Sequence, residues 1–151
     1  MQEVNILNQI STVMITCTFI LYLFMARETR KTVAADNMIK LLRYLHEIEF
    51  SQARMVVRYQ LREKNYKDWT DLEKESVSKV CSSYDLAGFL IRARMINTKQ
   101  FLKSWGKSIC HCYSIMKPFI EDDQGPNLTD DRYWINFIWL HKKANESIPN
   151  Q

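Results

Sequence analysis

The sequence has few of the residues that build turns. It contains 3 glycines and 3 prolines among 151 residues. Hairpins need glycine, proline or asparagine at their tight turns, so this scarcity argues against a fold made of strands. It also excludes a glycine-rich phosphate loop. The composition therefore favours helices, and the length is typical of one domain of ordinary size.

Sequence patterns of catalytic and metal sites are also missing. The chain has no G-x-S-x-G motif, and His46 and His141 stand far from one another without a recurring spacing. Cys110-His111-Cys112 contains metal-ligating residue types, but consecutive residues on a helix point about 100° apart and do not share a face. We interpret these cysteines as packed thiols of a reducing compartment. We predict that the protein is not an enzyme and holds no metal and no cofactor.

Charge is absent from the first part of the chain. Val4 to Ala26 are 23 consecutive uncharged residues, and at about 1.5 Å rise per residue they make a helix of roughly 34 Å. Such a helix crosses a hydrocarbon core of about 30 Å. A buried core helix is the alternative, although core helices seldom lack charge over this length. We predict a membrane span with a basic flank in residues 1–31 and a helical cytosolic domain in residues 32–151.

Cations follow the uncharged run and none precedes it. Glu3 stands before the run, whereas Arg27, Arg30 and Lys31 come after it. A cleaved signal peptide has the reverse order. By the positive-inside rule, the N-terminus lies outside and the remaining chain lies in the cytoplasm. This pattern predicts a single-pass protein of the inner (cytoplasmic) membrane.

Four polar side chains recur on one face of the predicted span. Asn5, Gln9, Thr12 and Thr16 follow the spacing i, i+4, i+7, i+11, which places them on a common helix face. In lipid such a face can form hydrogen bonds with a second copy of the helix. Alternatively, short polar residues near a helix end lie among the lipid headgroups. Self-association of the span into a homo-oligomer is therefore one of two interpretations.

Positive charge is concentrated after the span. Residues 27–67 contain ten basic and five acidic residues, whereas residues 68–151 contain eleven of each. Anionic lipid attracts such a segment by about 1 kcal/mol per cation near the surface. The uneven distribution indicates a membrane topology signal more than a nucleic-acid interface, and we do not expect nucleic acid as a partner.

Three arginines within this basic region form a ladder. Arg54, Arg58 and Arg62 recur at every fourth position of a helix predicted over residues 52–64, and such a ladder can bind phosphates or lipid headgroups. The alternatives are a solvated helix face or ion pairs with nearby acidic residues. Together with the cations after the span, the candidate contacts to anionic lipid are Arg27, Arg30, Lys31, Arg54, Arg58 and Arg62.

Apolar periodicity and capping residues predict the remaining helices. An amphipathic helix is predicted over about residues 35–49, with no glycine or proline to separate it from the span, and Ser51 is the predicted N-cap of the helix that follows. Thr70 with Glu73 forms a capping box. The helix that it opens has one apolar face, formed by Val77, Val80, Cys81, Tyr84, Ala87, Gly88 and Ile91.

Gly88 and the last two helices complete the prediction. A glycine on an apolar helix face indicates close approach of another helix. Asn97 caps the next helix, whose apolar stripe consists of Phe101, Trp105, Ile109, Cys112, Met116 and Phe119. Pro118 should kink or stop that helix, and Thr129 is the predicted start of the last one. The fold class is all-α, with an N-terminal transmembrane helix followed by a compact cytosolic bundle of about five helices.

A family resemblance emerges from the order of short motifs. After the apolar helix and a basic helix with Phe50-Ser51 come Tyr84-Asp85-Leu86-Ala87-Gly88, Trp105-Gly106 and Met116-Lys117-Pro118-Phe119-Ile120. In this order the chain resembles small bacterial membrane-anchored proteins that carry a helical domain of unknown function. The resemblance implies one membrane helix plus a compact helical domain. It supplies no catalytic residues.

These observations lead to two functional hypotheses. The first is a single-pass, membrane-tethered interaction or scaffold module without enzymatic activity, whose partners are membrane lipid, an unidentified protein or a second copy. The second is an oligomerising membrane effector or sensor, for example in a stress or phage response, whose cytosolic domain receives a signal. An enzyme or nucleic-acid binder that uses the arginine ladder is a third class, which lacks a supporting catalytic pattern.

Overall fold

The computed structural model describes the backbone of residues 2–123 and 133–147, and the side chains of residues 11–122 and 133–147. Within these ranges every regular element is a helix. The α-helices are α1 Gln2–Leu45, α2 Ile48–Met55, α3 Asp71–Arg92, α4 Thr98–Asp123 and α5 Ile135–Ser147. A π-helix, Val56–Gln60, continues α2, and a short 3-10 helix, Tyr66–Asp68, precedes α3. The predicted all-α class, with an apolar N-terminal helix and a helical bundle, is confirmed.

The chain divides into two units, residues 1–36 and 37–151; the boundary predicted from sequence lies slightly earlier, after residue 31. The first unit is helical over its described length. The helix segment Ser11–Leu45 is long and apolar enough to cross a membrane, and its apolar window is not buried. The predicted helix of membrane-spanning length and composition is therefore confirmed.

The second unit has its own hydrophobic core, built around α3. All seven residues of the predicted α3 face are buried. In α4 the predicted stripe is buried at Phe101, Ile109, Cys112 and Met116, and partly buried at Trp105 and Phe119. α5 contacts both of these helices and contributes Phe137, Leu140 and Ala144 to the core. Helical periodicity thus predicts the core-facing sides of α3 and α4 correctly.

The contact between α3 and α5 depends on Gly88. A Cβ atom added there would lie 2.3 Å from the backbone oxygen of Asn136, so the close approach predicted from sequence is confirmed. One turn earlier, the Asp85 carboxylate accepts hydrogen bonds from the backbone amides of Asn136 and Phe137, at 2.9 and 3.0 Å. These amides lie in the first turn of α5, where no intrahelical acceptor exists. Asp85 therefore caps α5 from a neighbouring helix.

Two of the three predicted caps that lie in the described chain, Thr70 and Asn97, are present. The Thr70 hydroxyl accepts from the Glu73 amide at 3.3 Å, and the Glu73 carboxylate accepts from the Thr70 amide at 2.7 Å. A hydrogen bond from Lys64 is the main reason that the pKa of Glu73 is lowered. At the start of α4, the Asn97 side chain accepts from the Gln100 amide at 3.0 Å. Local capping patterns were therefore sufficient to place these two helix starts.

Other predicted helix boundaries are wrong. Ser51 is not an N-cap: its amide donates to the Glu47 carbonyl at 2.9 Å, because the chain re-enters a helix after a turn of two residues, His46 and Glu47. The predicted helix 52–64 is replaced by α2 and the π-helix, which end at Gln60.

Of the two outcomes predicted for Pro118, a kink or a stop, the stop is wrong, since α4 continues through it to Asp123. Proline removes one hydrogen bond, to the carbonyl four residues earlier. Pro118 and Ser114 are both exposed, so water can satisfy that carbonyl. The predicted start of the last helix at Thr129 lies outside the described residues.

Candidate functional site

A polar cleft lies in the second unit where the C-terminal end of α1, α2 with its π-helix, and α4 meet. It encloses about 560 Å³. Its lining combines two arginines, one histidine and three serines with a few apolar side chains: Leu42, His46, Ser51, Arg54, Met55, Arg58, Ser104, Trp105 and Ser108. None of these described lining residues is acidic. We call this site the arginine cleft.

Arg54 is the most deeply placed charge of the arginine cleft, with 6% of its surface exposed. Its Nη2 donates to the backbone carbonyl of Leu45, the last residue of α1, where carbonyls lack intrahelical partners. Its guanidinium also stacks over the ring of Trp105, 5.1 Å from the centroid, a favourable cation–π distance. Burial is the main reason that the pKa of Arg54 is lowered from its ordinary value. The side chain thus fastens α1 to α2 while its charge is held away from water.

Arg58 lies one turn further along and is half-buried. Its Nη2 donates to the Ser108 hydroxyl on α4. The same hydroxyl lies 2.8 Å from the phenol oxygen of Tyr84 on α3. Burial raises the pKa of Tyr84, so the phenol stays neutral and does not offset the arginine charges. Arg58 is therefore held by neutral partners.

Both arginines keep donors without acceptors. Among the described residues, the buried side-chain atoms lacking a hydrogen-bond partner are Arg54 Nη1 and Arg58 Nε. None of the ion pairs found in the described ranges involves either guanidinium. Buried polar atoms in proteins are nearly always paired, and buried charge is normally paired with opposite charge. Arg54 and Arg58 are two neighbouring positive charges that depart from both rules. We therefore take the arginine cleft as the candidate functional site.

The π-helix explains why the arginine ladder does not form one exposed face. The Leu61 amide donates to the Val56 carbonyl, five residues earlier, at 3.2 Å, which changes the rotation per residue. Leu61 is buried, and Arg62 is exposed on another surface, beside Lys64 and Tyr66. The prediction of one exposed ladder is wrong for Arg54, which is buried. Arg54 and Arg58 are brought together, and Arg62 is separated from them.

The other candidate residues lie in the first unit. Arg27, Arg30 and Lys31 are exposed on α1, and Lys31 pairs with Glu28 at 2.6 Å. Their contact with anionic lipid stays a prediction, as does that of Arg62.

Half of the polar stripe of the span lies on the described part of α1. Thr12 and Thr16 are exposed, and the Thr16 hydroxyl donates to the Thr12 carbonyl at 2.8 Å. The side chains of Asn5 and Gln9 lie outside the described residues. Self-association through the stripe stays a prediction.

The burial of Arg54 is indicated by a helical spacing in the sequence, although the four-residue spacing of the three arginines suggests an exposed row. Arg54, Val57 and Leu61 follow the spacing i, i+3, i+7, which places Arg54 on the inward, apolar face of a helix. The contributions of His46, Trp105 and Ser108 have no such signal, because they come from distant parts of the chain. No group of three metal-ligating side chains occurs within the described ranges; in Cys110-His111-Cys112 the central histidine is exposed while Cys112 is buried.

Comparisons with known proteins return a family without an assigned activity. Neither the curated proteins nor the solved structures include a match. A family model described as a domain of unknown function, DUF4760, matches residues 12–144. This range includes the described apolar part of α1, the arginine cleft and α5 up to its last buried residue, Ala144. Because the match covers most of its length, the chain belongs to the DUF4760 family.

Proposed function

We propose that the protein is a single-pass, membrane-tethered interaction or scaffold module without enzymatic activity. In this proposal α1 crosses the inner membrane with its N-terminus outside, and the helical unit of residues 37–151 works in the cytoplasm. Membrane lipid and an unidentified protein are its partners. The proposal treats α1 as the anchor and the second unit as the part that makes specific contacts.

The observation that carries this proposal is the exposure of the apolar part of α1. From Val13 to Met25 its large apolar side chains are more than half exposed. Soluble proteins seldom expose a continuous apolar surface of this length, whereas lipid solvates it. The cations Arg27, Arg30 and Lys31 directly follow, and the positive-inside rule favours their retention in the cytoplasm.

Membrane fractionation and protease protection test the anchor and its orientation. We expect the full chain to resist carbonate extraction, and trypsin to digest the second unit in inside-out vesicles but not in spheroplasts. A matched variant neutralises Arg27, Arg30 and Lys31 to Gln and introduces Gln2→Lys and Glu3→Lys, which should reverse the protection pattern. Carbonate extraction of the chain, or digestion in spheroplasts, would contradict the proposed placement.

The interaction role is supported by apolar side chains exposed beside the α3–α5 contact. Phe89 is 52% exposed and Ile135 is 48% exposed, and they neighbour in sequence the two residues that meet there, Gly88 and Asn136. Contiguous exposed apolar side chains mark protein-binding surfaces, and in this proposal Phe89 and Ile135 belong to such a surface. A photo-crosslinker at Phe89 should yield a discrete adduct in cells that the same group at the exposed Lys103 of α4 does not. Equal adducts at both positions would contradict a specific partner surface.

The second candidate function is an oligomerising membrane effector or sensor. The stripe of Asn5, Gln9, Thr12 and Thr16 supports it, since Thr12 and Thr16 lie exposed on α1. Growth inhibition on overexpression should disappear when the four residues become Leu. Thr18→Leu is the matched control, because Thr18 lies about 200° from Thr16 around the helix. Toxicity that survives the stripe variant would count against this function.

A further inference from the structure

We propose that the arginine cleft is a binding site for a phosphate monoester, held by Arg54, Arg58 and the serine hydroxyls that line it. The inference concerns the second unit alone and does not depend on the membrane anchor. The ligand chemistry comes from two sources: the headgroup of an anionic lipid, or a soluble phosphorylated molecule.

The arginine cleft has an imbalance of charge. Two guanidinium groups share one cleft, and the described side chains that line it include no carboxylate. Each arginine uses Nη2 for a neutral oxygen, on Leu45 or on Ser108. The remaining buried donors, Arg54 Nη1 and Arg58 Nε, have no acceptor among the described residues. An anion is the partner that supplies both the missing acceptors and the missing negative charge.

The two arginines of the cleft favour one kind of anion. A carboxylate matches the fork of one arginine, whereas a phosphate monoester has up to two negative charges and three free oxygens. Two arginines therefore match a phosphate in charge and in acceptors. Ser51 and Ser104 are exposed at the cleft, and their hydroxyls can donate to the remaining oxygen.

An irregular stretch of backbone places the two arginines. They lie on either side of the junction between α2 and the π-helix that starts at Val56. A π-helical turn is rare and is frequently found at functional sites. Here it keeps Arg58 pointing to Ser108 on α4 while Arg62 moves to a separate surface. The irregular turn thus assembles a pair of arginines instead of a row of three.

The experiment uses the full chain in nanodiscs of phosphatidylcholine, with inorganic phosphate as the probe and sodium chloride at matched ionic strength as the reference. Thermal unfolding is followed by tryptophan fluorescence. All four tryptophans lie between residues 69 and 139, so this signal reports only on the second unit. We expect millimolar phosphate to raise the Tm in a saturable way, as a ligand that binds only the folded state must. No phosphate-specific shift, in these discs and in those described below, would overturn the proposal.

Three variants make the site specific. Arg58→Gln should weaken the apparent phosphate affinity at least tenfold, and Arg62→Gln, which removes an exposed cation outside the cleft, should leave it unchanged. Equal loss in both variants would indicate general screening and overturn the proposal. Because Arg54 also holds Leu45, an Arg54 variant risks misfolding. Ser104→Glu is used instead: its carboxylate enters the cleft, so it should raise the Tm without phosphate and abolish the phosphate response. A retained full response in Ser104→Glu would overturn the proposed location.

A second set of nanodiscs distinguishes the two sources of phosphate. Discs that contain phosphatidic acid present a lipid phosphate monoester at the membrane surface. If the lipid headgroup is the ligand, these discs should raise the Tm of the wild type and of Arg62→Gln, but not of Arg58→Gln, and the response to added phosphate should shrink. If a soluble phosphate is the ligand, the response to added phosphate should be the same in both kinds of disc.

Discussion

Replacing Gly88 with alanine tests the closest helix contact in the second unit. The added Cβ would lie 2.3 Å from the Asn136 oxygen and 2.7 Å from its carbonyl carbon. Both are backbone atoms, so no side-chain rotation relieves the clash. Even a contact of 3.0 Å, which real Cβ atoms rarely go below, requires a displacement of 0.7 Å (3.0 − 2.3). Asn136 cannot retreat freely, since Asp85 on α3 holds its amide.

The expected magnitude follows from three opposing effects. Overpacking of a core contact costs about 1–3 kcal/mol, and a backbone clash belongs at the upper end of that range. Moving α5 away also weakens the charge-assisted hydrogen bonds that the Asn136 and Phe137 amides donate to Asp85, each worth about 1.5–3 kcal/mol. The better helix propensity of alanine returns about 1 kcal/mol. We expect the free energy of unfolding to fall by about 2–3 kcal/mol, which lowers the Tm by roughly 10 °C for a domain of this size.

Tryptophan fluorescence of the full chain in mild detergent measures this loss, since the tryptophans lie in the second unit. Ser82→Ala is the matched control, because Ser82 is exposed on the same helix and gains only helix propensity. We expect that variant to be equal to the wild type or slightly more stable. If Gly88→Ala behaved like Ser82→Ala, the inferred contact between α3 and α5 would be wrong.

Three further predictions use the same assay. Asp85→Asn should lower the free energy of unfolding by about 2 kcal/mol, because the charged acceptor of the first α5 amides is removed. Unchanged stability would exclude the role of Asp85 as a cap. Arg94 has φ 57° at the end of α3, so Arg94→Gly should gain about 1 kcal/mol, whereas Lys103→Gly within α4 should lose about 1 kcal/mol. Burial lowers the pKa of His141, so the unfolded chain binds its proton first and stability should fall as the pH drops below about 6.5. His141→Phe, which keeps a ring against Tyr113, should reduce that fall; an unchanged pH profile would assign the dependence to other groups.

Local sequence patterns predicted the parts of the fold that depend on neighbours along the chain. The Thr70–Glu73 capping box and the Asn97 cap need only residues three positions apart, and both are present. The buried face of α3 needs only helical periodicity. Gly88 was informative because a glycine in a helix interior is unfavourable unless another helix requires the space. For these features, propensity, pattern and packing agree.

The arginine ladder shows where local patterns were insufficient. A constant helical period placed Arg54, Arg58 and Arg62 on one face, but the period changes in the π-helix Val56–Gln60. The acceptors that draw the first two arginines inward, Leu45 and Ser108, come from α1 and α4. No spacing rule connects them with the arginines before the fold is known. A charged residue at an apolar helix position, as Arg54 is, was the available clue that such acceptors exist.

The positive charge after the span serves two separate purposes in this interpretation. Of the ten basic residues between positions 27 and 67, Arg54 is buried and Arg58 is half-buried. Neither side chain is therefore fully exposed for contact with a lipid surface. The proposed topology signal then depends on the exposed cations next to the predicted span, and the proposed phosphate site depends on Arg54 and Arg58. The two are separable by mutation. Arg58→Gln should abolish the phosphate response and leave the protease-protection pattern intact, whereas neutralising Arg27, Arg30 and Lys31 should disturb the orientation and leave phosphate binding by the second unit unchanged.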